Sequence, residues 1–490
     1  MNKLPYNFAK KHNYLATIDA NSQIIVYYLE PLNFTILGEI QRFLQTEFTL
    51  QAIAPEKFQQ YLEQCYQSQI NLTDITLEEN LTTFAAQLPI NDDLLDNTNE
   101  APIIRLINAI FTQAIKSKAS DIHIETYENR ILIRNRIDGI LHEILEIQRA
   151  AAPLIISRIK VMAKLDIAER RIPQDGRITL QRGGHSIDIR VSTLPANHGE
   201  RIVLRILDQH NAPLDLNLLG LSPIHLMLLK QIITNPHGII LITGPTGSGK
   251  TTTLYAMLSE LNQMHRNILT IEDPIEYNLP GIGQMQVNNK IGMTFAKGLR
   301  AILRQDPDIV MIGEIRDRET AEIAIQASLT GHLVLSTMHT NSALGAITRL
   351  NDMGVEPFLL ASSLVGLIAQ RLIRKLCDQC KKPHNLNAEE QELLNMHSNN
   401  YNDICMPSGC DACNYTGYTN RTGIYDIINI DTTLQRLIHR NENIQDIEAH
   451  ARKFMPNIMH QGFNQVITGN TSLAEVLRVC RLGLEPRFSM

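Results

Sequence analysis

Tryptophan is absent from the chain and aromatic residues make up only 5% of it, a scarcity of the stacking residues that hold single-stranded nucleic acids, which argues against such a partner. A positive excess is missing too. The formal net charge is −6, whereas a nucleic-acid partner calls for a basic footprint. No run approaches the ~18 consecutive apolar residues of a membrane span, and Met1-Asn2-Lys3-Leu4-Pro5-Tyr6-Asn7 lacks the apolar stretch of a secretory signal. The expectation is a cytoplasmic protein that neither crosses a membrane nor takes nucleic acid as its main partner. Internal repeats and low-complexity tracts are lacking as well.

A chain of 490 residues has room for several domains with cores of their own. Residues 1–75 read as a small mixed α/β domain, with a strand at 23–28 and a helix at 55–62. Residues 76–100 are rich in Asn, Asp, Glu and Thr and read as a hydrated linker. Over 101–214 a helix at 103–115 precedes strands at 121–125, 130–134 and 186–191, whose apolar and polar residues alternate as in half-solvated antiparallel sheets, an α+β pattern. From 215 to 370 buried strands at 239–243, 267–271, 308–312 and 332–336 alternate with helices, which implies a mostly parallel sheet covered on both faces. Residues 358–369 are apolar nearly all round and read as a buried helix. A cysteine-bearing segment, 371–420, and a helical region, 421–490, complete the chain.

Within the third of these domains, Gly244-Pro245-Thr246-Gly247-Ser248-Gly249-Lys250-Thr251 matches G-x-x-x-x-G-K-[ST] and stands between an apolar strand and a helix that opens with Thr252. Such a loop turns backbone N–H groups and the positive helix N-terminus toward phosphates, a close approach that glycine permits. Lys250 adds a point charge, and the Thr251 hydroxyl is suited to Mg²⁺. This is a nucleotide-phosphate site.

Of seven cysteines, four are paired as Cys377-x-x-Cys380 and Cys410-x-x-Cys413. Two such knuckles supply the four thiolates of a tetrahedral Zn²⁺ site. The 29 residues between the pairs exceed ordinary zinc-ribbon spacing, so an insertion should loop out. Arg371, Arg374, Lys375, Lys381 and Lys382 suit an exposed knuckle. Cys65, Cys405 and Cys480 have no partner at ligand spacing and read as ordinary thiols.

Phosphoryl transfer to water also needs a group that orients the water, a group that holds Mg²⁺ and positive charge at the transferring phosphoryl. Glu272 and Glu276, in Glu272-Asp273-Pro274-Ile275-Glu276, follow one buried strand, and Glu314 follows another, at the carboxyl edge where open parallel sheets bind ligands. Gly313 stands where an Asp is commonest, which leaves open whether Glu314 holds the Mg²⁺-bound water or acts as base. His332 and His339 bracket the next strand and are candidate sensors of the γ-phosphate region. Arg190, Arg201 and Arg205 in the preceding domain are candidate positive charges.

These blocks together resemble the secretion ATPase superfamily, the hexameric motors of type II secretion and type IV pili. The resemblance rests on the glycine loop, the aspartate box Thr270-Ile271-Glu272-Asp273-Pro274-Ile275-Glu276-Tyr277, the Walker B block from Asp306 to Asp317 and the histidine box from Gly331 to Thr340. The paired cysteines resemble the assembly branch, in particular the type II secretion ATPases, rather than the retraction motors. The resemblance implies a RecA-like ATPase domain preceded by a PAS-like α+β domain, a small N-terminal domain and a C-terminal zinc-binding helical region, in a homohexamer that holds ATP between the first two. It implies that Lys250 and Thr251 bind phosphate and Mg²⁺, that Glu276 is the general base with Glu272 as the competing assignment, and that Glu314 organises the Mg²⁺ water. Arg190, Arg201 and Arg205 would reach ATP from the PAS-like domain. It further implies attachment to the inner membrane through partners, with residues 1–75 docking on the cytoplasmic domain of a membrane secretion protein and the ring meeting a platform protein. The competing readings are a type IV pilus assembly motor, a nucleic-acid translocase on the same core and a scaffold that binds nucleotide without hydrolysis.

Overall fold

Alternation of apolar and charged residues along 121–125 and 130–134 does produce antiparallel strands, and the change to continuous apolar runs after residue 214 marks a second kind of sheet. The computed structural model describes residues 4, 8, 12–18, 24–29, 32–44, 46, 48–54, 57, 58, 61, 81, 100–182, 185–207, 214–395 and 404–480. The expected linker, apart from Leu81 and Glu100, lies outside the described residues, as does Cys65. Residues 1–136 with 141–207 form one unit, and 137–140 with 208–490 another.

In the first unit, β1 (Tyr14–Ile18) pairs antiparallel with β2 (Ile24–Tyr28), and β3 (Thr49–Ala52) runs parallel to β2. The helix Phe34–Leu44 contributes Ile40 to a core with Leu4, Tyr14, Ala16 and Val26. A six-stranded sheet follows, built from β4 (Asp121–Thr126), β5 (Arg130–Ile137), β6 (Ile140–Gln148), β7 (Gln174–Arg182), β8 (His185–Ala196) and β9 (Gly199–Leu207) in the order β6-β5-β4-β9-β8-β7. Its apolar positions, among them Ile122, Ile124, Ile133, Ile189, Ile202 and Leu204, are buried, and the helices Glu100–Lys116 and Ala152–Met162 contact each other and carry buried residues of their own. Strand period and register put Asp121, His123, Glu125, Arg134, Arg136, Arg190, Arg201 and Arg205 together on the opposite face.

The second unit is organised by β10 (Gly238–Thr243), β11 (Ile268–Glu272), β12 (Gly283–Gln286), β13 (Ile309–Ile312), β14 (Leu333–Met338), β15 (Leu364–Leu376) and, after the short β16 (Lys382–Pro383) and β17 (Cys405–Met406), β18 (Tyr418–Asn429). The order is β12-β11-β13-β14-β10-β15-β18, parallel throughout except for β18. Successive residues of β10 feed two cores, Ile239 and Leu241 on one face and Ile240 and Ile242 on the other. Each such buried side chain contributes about 1.5–3 kcal/mol, so a one-residue slip that moved these side chains out of their cores is strongly disfavoured. Helices Phe295–Ile302, Arg318–Leu329 and Gly345–Asp352 supply the first core; Pro223–Ile233 and Lys250–Leu261 supply the second. This is the doubly covered parallel sheet expected of a RecA-like core.

Three expectations need correction. The apolar stretch 358–369 is not one helix: a helix occupies Pro357–Ser363 and β15 begins at Leu364. Between β10 and β18 a strand is buried on both faces, so its residues show no period by which to tell it from a buried helix. The sheet also continues past Gln370, and residues 421–429 belong to β18 rather than to the helical region, whose helices begin at Thr432. Finally, the insertion between the cysteine pairs does not simply loop out. It contains the helix Ala388–Asn395, and its Leu394 and Ile404 pack with Phe463, Val466, Leu473 and Val476 of the C-terminal helices.

Candidate functional site

β10 delivers the chain to the glycine loop at the carboxyl edge of the sheet, and β11, β13 and β14, being parallel to it, end on the same edge. Gly244 and Gly249 have φ of +149° and +86°. A Cβ at Gly244 would lie 2.6 Å from both the Gln370 carbonyl oxygen and Ser248 Oγ, so only glycine fits where the loop crosses β15. A Cβ at Gly247 would meet nothing within 4 Å, so the crest of the loop is open. The helix Lys250–Leu261 starts directly behind it. Ser248 Oγ is buried and has no hydrogen-bond partner among the described residues.

Lys250 folds back, its Nζ donating to the carbonyl oxygens of Gly244 (2.7 Å) and Pro245 (3.1 Å). Burial pulls its pKa down to about 8; Glu314 opposes the shift and Arg371 adds to it. Open crest, orphaned Ser248 hydroxyl and buried cation together fit a phosphate group, with Pro245, Thr246, Thr251 and Thr252 completing the loop and the first helical turn. Thr251 is exposed, as a hydroxyl that holds Mg²⁺ must be.

Glu314, two residues past β13, pairs with the Arg316 guanidinium on one carboxylate oxygen and stands 3.4 Å from His339 Nε2 with the other. Burial, followed by Lys250, lowers the pKa of His339 despite the neighbouring carboxylate, so the ring is neutral at neutral pH. Lys250, Glu314 and His339 are thus brought together. His332 is not among them. It precedes β14, beside the start of β10, and its Nδ1 lies 2.8 Å from the Ala327 carbonyl oxygen at a helix end.

The two glutamates of the aspartate box differ sharply. Glu272 is buried and accepts hydrogen bonds from Thr270 Oγ1 (2.6 Å), Gln284 Nε2 (3.1 Å) and the Tyr255 hydroxyl. A carboxylate so engaged holds structure and has little freedom to take a proton from water. Glu276 is half-buried, and its backbone N–H donates to Tyr255 Oη (3.2 Å).

Two residues of the site escaped the sequence reading. Gln370, fully buried on β15, accepts from Thr253 Oγ1 (2.8 Å) beneath the loop. Arg371, expected on an exposed knuckle, is buried and donates to the carbonyl oxygens of Gln370 (3.0 Å) and Asn341 (2.6 Å). Arg374 is half-buried, paired with buried Glu475 and stacked 3.8 Å over the Tyr418 ring.

Arg190, Arg201 and Arg205 belong to the first unit. Arg205 Nε donates to Asp121 (3.1 Å), Arg201 pairs with Glu125 and lies 3.4 Å from His123 Nδ1, and Arg190 stands opposite Arg205 in the β8–β9 register.

The sulfur atoms of Cys377, Cys380, Cys410 and Cys413 all lie within 4.8 Å of one another. The separations of Cys377–Cys410, Cys380–Cys413 and Cys410–Cys413 are 3.9, 3.8 and 3.8 Å. A ZnS₄ tetrahedron with Zn–S of about 2.3 Å has an edge of about 3.8 Å, which these three separations match, so the donor set fits zinc. Backbone N–H groups of Gly409, Cys410 and Gly417 donate to the sulfurs, as thiolates require. Cys405 lies outside the cluster.

The model of the family described as type II/IV secretion system protein matches residues 96–478. The chain belongs to this family. A second model, for an N-terminal domain of GSPII protein E, matches residues 3–66. Within the type II/IV secretion family the chain stands with the type II secretion ATPases: it is 50% identical over 488 residues to the type II secretion system ATPase E of Vibrio cholerae, across 98% of this chain and 97% of that one. It is 52% identical over 484 residues to the type II secretion system protein E of Dickeya dadantii, across 98% and 97% of the two chains. The solved pilus retraction motor PilT with bound ADP is 25% identical and superposes with a TM-score of 0.51, covering 75% of this chain and 95% of that one. No helix among the described residues is long and apolar enough to cross a membrane.

Proposed function

We propose that this chain hydrolyses ATP to ADP and phosphate in the cytoplasm, as a homohexamer, and that the energy drives pseudopilus assembly and protein export by a type II secretion system. The observation that carries the reading is the convergence of Lys250, Glu314 and His339 at the mouth of the glycine loop, on the sheet edge where β11 also ends and leads to Glu276. Gly244 to Thr252 would hold the phosphates, Thr251 the Mg²⁺, and Glu314 its bound water; the metal supplies charge neutralisation along the triphosphate. Glu276 acts as general base, His339 reports on the γ-phosphate region, and Arg190, Arg201 and Arg205 supply positive charge in the transition state. Zn²⁺ on Cys377, Cys380, Cys410 and Cys413 is structural. The names of the relatives, ATPase E and protein E of type II secretion, favour secretion over the pilus assembly motor. Attachment to the inner membrane through a platform protein, and through a membrane secretion protein that meets residues 1–75, where the GSPII protein E domain model matches residues 3–66, belongs to the same reading.

The test is turnover by the purified full chain together with export in cells lacking their own ATPase of this type. Hydrolysis and restored export are expected, with no stimulation by DNA; DNA-stimulated turnover without restored export would favour the translocase. Arg190→Ala, Arg201→Ala and Arg205→Ala should each slow turnover far more than they weaken ATP binding. Unchanged turnover in all three removes them from the machinery.

The free-state pKa of Lys250, about 8, sets a pH dependence. Bound phosphate favours the ammonium, so binding takes up a proton once the free lysine has lost its own. Affinity for ADP should therefore hold below pH 8 and fall above it by up to about tenfold per pH unit. Titrations with a fluorescent ADP analogue at pH 7, 8 and 9 read this directly, and a flat profile contradicts it.

A further inference from the structure

Tyr255 sits five residues into the helix that starts at the glycine loop, fully buried, its ring edge-on to Tyr277 at 5.6 Å between centroids. A phenylalanine would satisfy that packing. A buried hydroxyl costs stability unless it is bonded, and this one is bonded twice: it donates to the Glu272 carboxylate and accepts from the backbone N–H of Glu276. The network continues through Gln284, which donates to Glu272 and to the Tyr277 carbonyl oxygen (2.9 Å) and accepts from the Leu279 N–H (2.7 Å). Burial and the adjacent carboxylate push the phenol's pKa well up, so the hydroxyl is present throughout the working range.

The geometry points to Tyr255 as a positioning residue for hydrolysis: through its hydroxyl it ties the glycine-loop helix to the turn that carries Glu276. This rests on Glu276 being the base. Fully buried and bonded to Glu272 and the Glu276 N–H, Tyr255 acts through the turn and not on the reacting groups. It fixes where the Glu276 backbone lies relative to the helix headed by Lys250 and Thr251, and a displacement of order 1 Å in such a group costs about 10²-fold in rate. Buried Glu272 is then the anchor of this tie rather than a second base.

The experiment compares Tyr255→Phe, Glu276→Gln and the double variant in the full chain, by steady-state turnover, ADP binding and single-turnover phosphate release. Tyr255→Phe should lower kcat by about 10- to 100-fold while ADP affinity and KM change less than about threefold. In the Glu276→Gln background the same replacement should change the residual rate less than about twofold, because the group it positions is gone. Gln284→Met, which removes the other clamp on the turn, should repeat the pattern if Tyr255→Phe folds poorly. A parental rate in both Tyr255→Phe and Gln284→Met with Glu276→Gln inactive overturns the inference alone. So does an equal loss in both backgrounds, the mark of a merely structural role. A parental rate in Glu276→Gln removes the base assignment and the inference with it.

Discussion

Glu276→Gln should still bind ATP while losing turnover by about 10²- to 10⁴-fold, the usual contribution of a positioned base, whereas Lys250→Ala should lose nucleotide binding itself. The two sites fail differently because they do different work. Lys250 is a buried cation already desolvated by the loop, and without it the loop itself offers the phosphates no charge, only backbone dipoles and hydroxyls. Glu276 stands on a half-buried turn outside the loop, so replacing its carboxylate leaves the loop intact. Glu272→Gln is the control that decides between the carboxylates. Glu272 accepts three hydrogen bonds, and an amide would turn N–H groups toward one or more of those donors, so thermal stability should fall together with activity. A fully stable Glu272→Gln that cannot hydrolyse ATP, beside a Glu276→Gln of parental rate, would transfer the base to Glu272.

Cys410→Ser should release the zinc and unfold the region around residues 377–413 while the glycine-loop sheet still binds ATP. Four thiolates around one Zn²⁺ would leave no open position for water or substrate, so a metal held there would serve structure alone. Its apparent binding free energy, on the order of 10 kcal/mol in small zinc modules, is large against what this small module's own core supplies. Leu394 and Ile404 reach into the core of the C-terminal helices, so those helices should loosen with it. Cys405→Ser should keep both metal and stability. Metal analysis by mass spectrometry, with limited proteolysis to map the loosened segment, reads the outcome. Less than about half an equivalent of zinc in reduced parental protein, or full retention in Cys410→Ser, would refute it.

Some of this site was legible because its signal is local. A strand, a glycine loop and a helix succeed one another within 24 residues, from Gly238 to Leu261, and the backbone has little choice about where the loop points. The cysteine knuckles are local in the same sense, and their sulfurs close to tetrahedral spacing. Gln370, Arg371 and Tyr255 carry no such mark. What they do depends on which strand lies beside β10 and on what a helix buries, facts of tertiary structure that no spacing announces. For His332 a signal did exist: in a parallel sheet the residue before a strand lies at the edge away from the ligand crevice, and only the residue after it, here His339, is admitted. The stretch 358–369 failed for a different reason, since a strand buried on both faces has no polar period to read.

β15 carries the chain as one strand from the floor of the glycine loop at Gln370 to the residue before Cys377, its faces alternating along the way, with one irregularity in its pairing with β18 between Arg374 and Leu376. Loss or gain of one residue between Gln370 and Cys377 would turn either the loop's floor or the first zinc ligand to the wrong side of the sheet. Between Cys380 and Cys410, where the chain leaves the sheet and returns, residues added outside β16, β17 and the helix Ala388–Asn395 only lengthen a detour. Chains built on this plan should therefore vary in length between the two knuckles and keep a fixed count between loop floor and metal, a rule of grammar written by the pleat of a single strand.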